Sequence, residues 1–374
     1  MKILFVTTIS NTINAFLIPH IQFLHKQGHT VDIACRVEQE LSPILFNIGC
    51  KVHQIPFQRS PLKKENFLAY KKIKKIVSSE GYELVHTHTP VASFVTRFAC
   101  RNNAQVKTLY TAHGFHFYQG APTINWLLYY PLEKLAARWT DSLITINEED
   151  FNTAQKIKFI KRTGVYKVNG VGINLDNFQP VTPEEKRELR KQYGFKDDDF
   201  ILIYAAELNY NKHQNLLIDS VRLLKDKIPH IKLLLAGDGD RMGQYTKQVR
   251  SLEIEGNVHF LGYRHDIANL LKISDLAVSS SRREGLPVNV MEAMAVGLPL
   301  VVTDCRGNRD LVKNGQNGFV VGLNDVTGFA GAIEEIYFST DLKKAFGEAS
   351  RKLVKTYSWE QVKEQMKSIY LKEV

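Results

Sequence analysis

The chain has 374 residues, 44% of them hydrophobic, and a formal net charge of +10. That is enough apolar material for two cores of about 150–200 residues each, and no apolar run approaches the roughly 18 residues a membrane-spanning helix needs. The four cysteines, Cys35, Cys50, Cys100 and Cys305, are scattered without CxxC or Cys/His spacing, which argues against a zinc site or a disulfide framework and for reduced thiols.

The excess charge is confined to one half. Residues 1–175 hold 21 Lys and Arg against 11 Asp and Glu, whereas residues 176–374 hold 28 of each. It gathers in Leu62–Val77 and Lys156–Arg162. In the first of these Phe67, Tyr70, Ile73 and Val77 recur at helical spacing between lysines, a pattern suited to an anionic membrane surface or to the solvated face of an ordinary helix. No nucleic-acid-binding motif accompanies the basic character, so nucleic acid is not an expected partner.

The N-terminal run MKILFVTTIS lacks a small-residue cleavage site and reads as a buried strand, not a signal peptide. Further strands are expected at Thr30–Ala34, Val52–Ile55, Leu84–His88, Lys107–Thr111, Ser142–Ile146 and Val165–Val168. Helices are expected between them at Ala15–Gln27, Asn66–Ser79, Ala92–Arg101, Ile124–Ala137 and Glu148–Lys158. Gly170–Pro180 is a Gly/Asn/Pro-rich break, followed by a charged helix over Pro183–Tyr193. The theme then repeats. Strands fit Phe200–Ala205, Lys232–Ala236, Val258–Phe260, Leu276–Ser279, Leu300–Thr303 and Gly318–Val320. Helices fit His213–Lys225, Arg241–Leu252, Asp266–Leu271, Val288–Ala295, Val326–Phe338 and Ser358–Leu371. This alternation predicts an α/β chain of two doubly wound, Rossmann-like domains with parallel sheets, 1–175 and 176–355, and a terminal segment 356–374. Ligands of such sheets bind beyond the carboxyl ends of the strands, and a cleft between two facing domains is the natural place.

The most specific stretch is Ser279–Gly297, SSSRREGLPVNVMEAMAVG. It reads as strand, loop and helix start, with Pro287 expected in the first helical turn. Glu284 falls on the loop and Glu292 in the helix. Gly285, Leu286, Pro287 and Val288 form the helix entrance, whose free N–H groups and dipole suit a phosphate.

The phrase EGLPVNVMEAMAVGLPLVV resembles the Glu-x7-Glu signature of retaining glycosyltransferases of family 4. The resemblance implies the GT-B fold of two facing Rossmann-like domains and a nucleotide-sugar substrate. It implies that Glu292 binds the ribose and Glu284 the donor sugar. It also implies that the last helix crosses back to the first domain. In AAELNYNKHQ, Lys212 matches the family's phosphate-gripping lysine. Glu207 stands where an arginine is expected, so another cation, Arg282, Arg283 or Arg309, is expected to compensate. CRGNRDLV places Gly307, Asn308 and Arg309 in a turn beside the phosphates. In AGDGD, Gly237 allows close backbone approach to the nucleotide, and the resemblance places LGYRHD beside the base, with Tyr263 or Arg264 near it. In YTAHGFHFYQ, His113 matches a histidine near the transferred sugar, and His116 would line the acceptor side. The first βα loop, Thr7–Ala15, lacks G-x-G-x-x-G, which argues against a dinucleotide enzyme, and offers Asn11 and Asn14 to an acceptor.

No cofactor or metal is expected, because no Asp-x-Asp presents itself as a divalent-metal holder. The function implied is transfer of a sugar, an N-acetylhexosamine or related, from a UDP-sugar to a lipid-linked saccharide in capsule or exopolysaccharide assembly. The place implied is the cytoplasmic face of an anionic membrane. A nucleotide-sugar 2-epimerase and a non-catalytic nucleotide-sugar-binding protein of the same fold are the alternatives.

Overall fold

The computed structural model describes residues 1–157 and 164–373, so most of the basic segment Lys156–Arg162 lies outside the described residues. The chain divides into two units, Met1–Val171 with Val362–Val374, and Gly172–Gln361.

The first unit opens with β1 (Lys2–Ile9), α1 (Ser10–Thr12), a π-turn over Ile13–Leu17, α2 (Ile18–Lys26), β2 (Thr30–Arg36), α3 (Pro43–Asn47) and β3 (Val52–Gln54). It continues through α4 (Glu65–Ser79), β4 (Leu84–His88), α5 (Pro90–Cys100), β5 (Lys107–Ala112), α6 (Thr123–Ala136), β6 (Ser142–Thr145), α7 (Glu148–Gln155) and β7 (Gly164–Lys167). The seven strands form a parallel sheet in the order β3-β2-β1-β4-β5-β6-β7. In β1 every residue from Ile3 to Ile9 is buried, because both faces of the strand are covered. Ile3 and Phe5 pack with Ile21, Leu24 and Val362, Met366, Ile369 and Tyr370 of the last helix. Leu4 and Val6 pack on the other side with Ile73, Val77, Ala92 and Ala99.

The second unit contains α8 (Pro183–Gln192), β8 (Phe200–Ala205), α9 (Gln214–Leu224), β9 (Ile231–Ala236), α10 (Met242–Ser251), β10 (Val258–Gly262) and α11 (Ile267–Ile273). Then come β11 (Leu276–Ser279), α12 (Val288–Val296), β12 (Leu300–Thr303), α13 (Asn308–Leu311), β13 (Gly318–Val321), α14 (Val326–Phe338) and α15 (Thr340–Val354); α16 (Trp359–Glu373) follows. Its parallel sheet has the order β10-β9-β8-β11-β12-β13. In each unit the strand order reverses direction once, between β1 and β4 and between β8 and β11. At such a point neighbouring loops diverge and open a crevice.

Three sequence expectations are corrected here. The segment Thr7–Ala15 is no loop, because helix starts at Ser10 and passes through the π-turn. Pro287 is the N-cap residue of α12, extended at φ −74 and ψ 118, and lies one position before the first turn. The stripe of α4 does not lie free for a membrane, since Ala69, Ile73 and Val77 are buried against the sheet and only Phe67 stays exposed. α15, which the pattern analysis leaves out, carries few apolar residues between its charges, and only Phe346, Gly347, Ser350 and Val354 are buried.

Candidate active site

In the second unit the strand-order reversal sits between β8 and β11, and the loops that follow these two strands carry Lys212 and Glu284. They meet in an ion pair, Lys212 Nζ to Glu284 Oε1, at 2.5 Å. Both side chains are largely buried. Burial pulls the Lys212 ammonium down, but the Glu284 charge and hydrogen bond outweigh it and hold the ammonium above its ordinary range.

The two loops are stitched together. Asn211 O accepts from Arg282 N at 2.8 Å, Asn211 Nδ2 donates to Arg283 O at 3.0 Å, and Ser280 Oγ donates to Lys212 O at 2.7 Å. Ser281 Oγ donates to Glu284 at 2.5 Å and lies 2.7 Å from Tyr204 Oη. Arg306, itself buried, donates from Nε to Glu284 O at 2.9 Å. Sequence reasoning missed Tyr204, Ser280, Ser281 and Arg306. Ser279, Ser280 and Ser281 are all fully buried, so the burial expected for the strand ending at Ser279 continues into the loop after it.

Glu292 lies just over one turn into α12. It is half-buried, and burial raises its carboxyl to about 7. A carboxyl in that state gains from any hydroxyl donor brought to it. Gly285 is half-buried, and Leu286 and Pro287 are buried, in front of the N-terminus at Val288. Gly307, at φ +77, is required here twice over: the backbone is left-handed, and a Cβ would sit 2.6 Å from Gly285 O.

The remaining second-unit candidates are more committed to structure. Arg309 pairs with Asp304 at 2.9 Å, and Asp310 accepts from Gly307 N at 3.2 Å as a helix cap. Arg264 is bound to Asp266 at 2.6 Å, and Tyr263 is 71% exposed. A Cβ on Gly237 would sit 2.2 Å from Ala206 O, so that glycine lets two loops pack backbone to backbone. Glu207 is exposed. Of the arginines expected to compensate for it, Arg282 bonds Asn324 and lies over the Tyr210 ring, while Arg283 makes no ion pair among the described residues.

The first unit gathers histidines at the carboxyl ends of β4 and β5. His88 Nδ1 lies 3.0 Å from His113 Nε2, and their rings stack at 5.3 Å. His86 sits between Tyr370 Oη at 2.7 Å and Thr111 Oγ1 at 2.8 Å. Together with His20 these rings line a small cavity. Burial, then His20, lowers His113 to about 4, and burial lowers His20 to about 4 as well. All four therefore stay neutral near pH 7, and His113, with one nitrogen occupied by His88, keeps its Nδ1 side for another partner.

Asn14 does not offer itself to an acceptor. Its side chain bonds Glu40 O at 2.8 Å and Ser42 N at 3.1 Å, which ties the start of the first helical stretch to the loop after β2. Asn11 is exposed. His116 is half-buried against the Tyr129 ring at 4.7 Å. No group of three or more His, Cys, Asp or Glu among the described residues has metal-holding geometry.

Two parallel α/β units, with a paired lysine and glutamate at one strand-order reversal and a histidine cluster beyond two strand ends, define a protein of the GT-B class. Family models agree: "Glycosyl transferases group 1" matches residues 185–353, and "Glycosyl transferase 4-like" matches residues 2–147. The chain belongs to this family of glycosyltransferases. It is 40% identical over 373 residues to the putative glycosyltransferase EpsD of Bacillus subtilis, covering 99% of this chain and 96% of that one. It is 28% identical over 302 residues to the UDP-Gal:alpha-D-GlcNAc-diphosphoundecaprenol alpha-1,3-galactosyltransferase of Escherichia coli, covering 79% and 77%. Among solved structures, Anabaena Alr3699/HepE in complex with UDP and glucose superposes with a TM-score of 0.81 at 21% identity over all of both chains.

Proposed function

We propose that this glycosyltransferase moves a sugar, an N-acetylhexosamine or a related one, from a UDP-sugar to a lipid-linked saccharide, with retention at the anomeric carbon. The reaction would serve capsule or exopolysaccharide assembly at the cytoplasmic face of the membrane. The observation that carries the reading is the Lys212–Glu284 pair at the strand-order reversal, beside a helix whose Glu292 is a raised, half-buried carboxyl. The Escherichia coli relative supports it, since its name gives a UDP-linked donor and a diphosphoundecaprenol acceptor.

In this reading Glu292 accepts hydroxyl protons of the ribose in hydrogen bonds, and Glu284 holds hydroxyls of the donor sugar. As the anomeric carbon–oxygen bond breaks, negative charge grows on the departing diphosphate. Lys212, the N–H groups at Val288 and beyond, and Arg283 stand to stabilise it, with Arg283 taking the place of the arginine lost at Glu207. His113, neutral, orients the sugar. No protein group acts as nucleophile; the acceptor oxygen attacks on the face from which UDP leaves and passes its proton to the departing phosphate.

The test is a matrix of UDP-sugars against polyprenyl diphosphate saccharides, with UDP release and the anomeric configuration of the product read by NMR. Acceptor-dependent release with retention is expected. Release without any acceptor, or an inverted product, would overturn the reading.

A further inference from the structure

A buried imidazole on a parallel strand is costly unless both ring nitrogens find partners. In β4 the pattern Leu-Val-His-Thr-His puts His86 and His88 two apart, on one face, and both are buried. His86 meets the requirement with Tyr370 Oη and Thr111 Oγ1. His88 does not. Its Nδ1 lies 3.0 Å from His113 Nε2, but its Nε2 has no hydrogen-bond partner among the described residues. The cavity that His88 lines is walled largely by Phe5, Leu17, Ile144, Ile146, Val168 and Met366, whose side chains hold no oxygen or nitrogen. The ring is also held in place. Phe5 stacks on it at 5.6 Å and His86 lies against it at 4.2 Å between centroids, so turning it towards another partner would break both contacts.

Burial keeps both His88 and His113 neutral near pH 7. A neutral imidazole carries one N–H and one bare nitrogen. The 3.0 Å contact therefore holds a single hydrogen, and the two tautomers are locked to each other. If His113 Nε2 carried that hydrogen, His88 would bear its own N–H at Nε2, buried and without an acceptor. If His88 Nδ1 carries it, the unpartnered atom is a bare nitrogen. Native interiors leave acceptors under-used more readily than they orphan an N–H, and the second arrangement wins.

We propose that His88 is the positioning residue for His113: His88 Nδ1–H donates to His113 Nε2 and fixes His113 in the tautomer that presents an N–H, at Nδ1, to the bound sugar. The inference rests on the reading that His113 meets the sugar. It adds the direction of that contact, with His113 as donor and a sugar oxygen as acceptor. It also removes His113 as a base, because a protonated Nδ1 has no lone pair to take a proton. The proton of the attacking hydroxyl is left to the departing phosphate.

The test is long-range proton–nitrogen NMR correlation on the full chain labelled with nitrogen-15 histidine, without substrate, the His113 signals being assigned by their loss in H113N. His113 is expected with a protonated Nδ1 and a bare Nε2. H88F keeps the ring stack but has no donor. It should show His113 as a mixture or as the other tautomer, with a melting temperature close to wild type. Its kcat/KM for sugar transfer should fall by roughly ten- to 100-fold, mostly in kcat, with UDP affinity unchanged. H88N, whose amide can donate from nearly the same place as Nδ1, should restore the wild-type tautomer and most of the turnover. A wild-type His113 protonated at Nε2 would overturn the assignment. So would an H88F protein that keeps the wild-type His113 tautomer or the wild-type turnover, or an H88N protein no better than H88F. The expected wild-type spectrum together with no turnover of any UDP-sugar would support the tautomer and count against the proposed function instead.

Discussion

Glu292→Gln is the sharpest perturbation, because stability and binding should move in opposite directions. Burial raises the Glu292 carboxyl from 4.5 to about 7. A raised folded-state value means that the native protein holds its proton longer than the unfolded chain does. Stability is therefore full below about pH 4.5 and is lost as pH climbs to about 7. A shift of that size corresponds to roughly 3 kcal/mol at pH 8. Glutamine removes the ionisation but still buries an amide, so a net gain of about 1–3 kcal/mol at pH 8 is expected, and almost none at pH 5. UDP should bind worse. A hydrogen bond to a charged acceptor is worth about 1.5–3 kcal/mol, so the dissociation constant should rise by roughly ten- to 150-fold. Wild-type UDP binding should also release a proton near pH 7, because ribose hydroxyls favour the ionised carboxylate; in E292Q the release should vanish. Thermal melts at pH 5 and pH 8, and calorimetric titrations in buffers of different ionisation enthalpy, read all of this. A variant that melts lower at pH 8, or binds UDP as tightly as wild type, would refute the assignment of Glu292 to the ribose.

Lys212→Met strands Glu284 in a largely buried position; a loss of about 2–4 kcal/mol is expected in chemical denaturation, together with a fall in turnover of a hundredfold or more. Gly307→Ala should cost about 1–3 kcal/mol and weaken UDP binding by displacing Gly285, which melts with and without UDP would show. His20 and His113 are each lowered from 6.5 to about 4, so the neutral forms stabilise the fold above pH 6.5. That contribution should drain away as pH falls from 6.5 towards 4, giving a steep decline in the melting temperature over this window. The pH–rate profile should correspondingly show no limb near 6.5 from His113.

Much of this protein is legible in the chain itself. Strands covered on both faces are unbroken apolar runs, so Phe200–Ala205, Leu276–Ser279 and Leu300–Thr303 come out with the same ends from pattern and from structure. The Glu-Gly-Leu-Pro phrase marks the entrance to α12, because a proline at the edge of a helix leaves a local signature. What the pattern cannot carry is which of two environments an amphipathic stripe meets. Phe67, Tyr70, Ile73 and Val77 share one helical spacing, yet Ile73 and Val77 are buried while Phe67 is exposed, and Ile124, Leu127 and Leu128 of the helix expected over Ile124–Ala137 stand in solvent. Nor does sequence reveal partners that lie far apart along it. Lys212 and Glu284, His88 and His113, and Asn14 and Ser42 meet only because the parallel sheets return successive strand ends to one edge. Periodicity reports the neighbours a residue has along its own helix or strand; the free energy of a buried charge depends on neighbours that only the tertiary fold supplies.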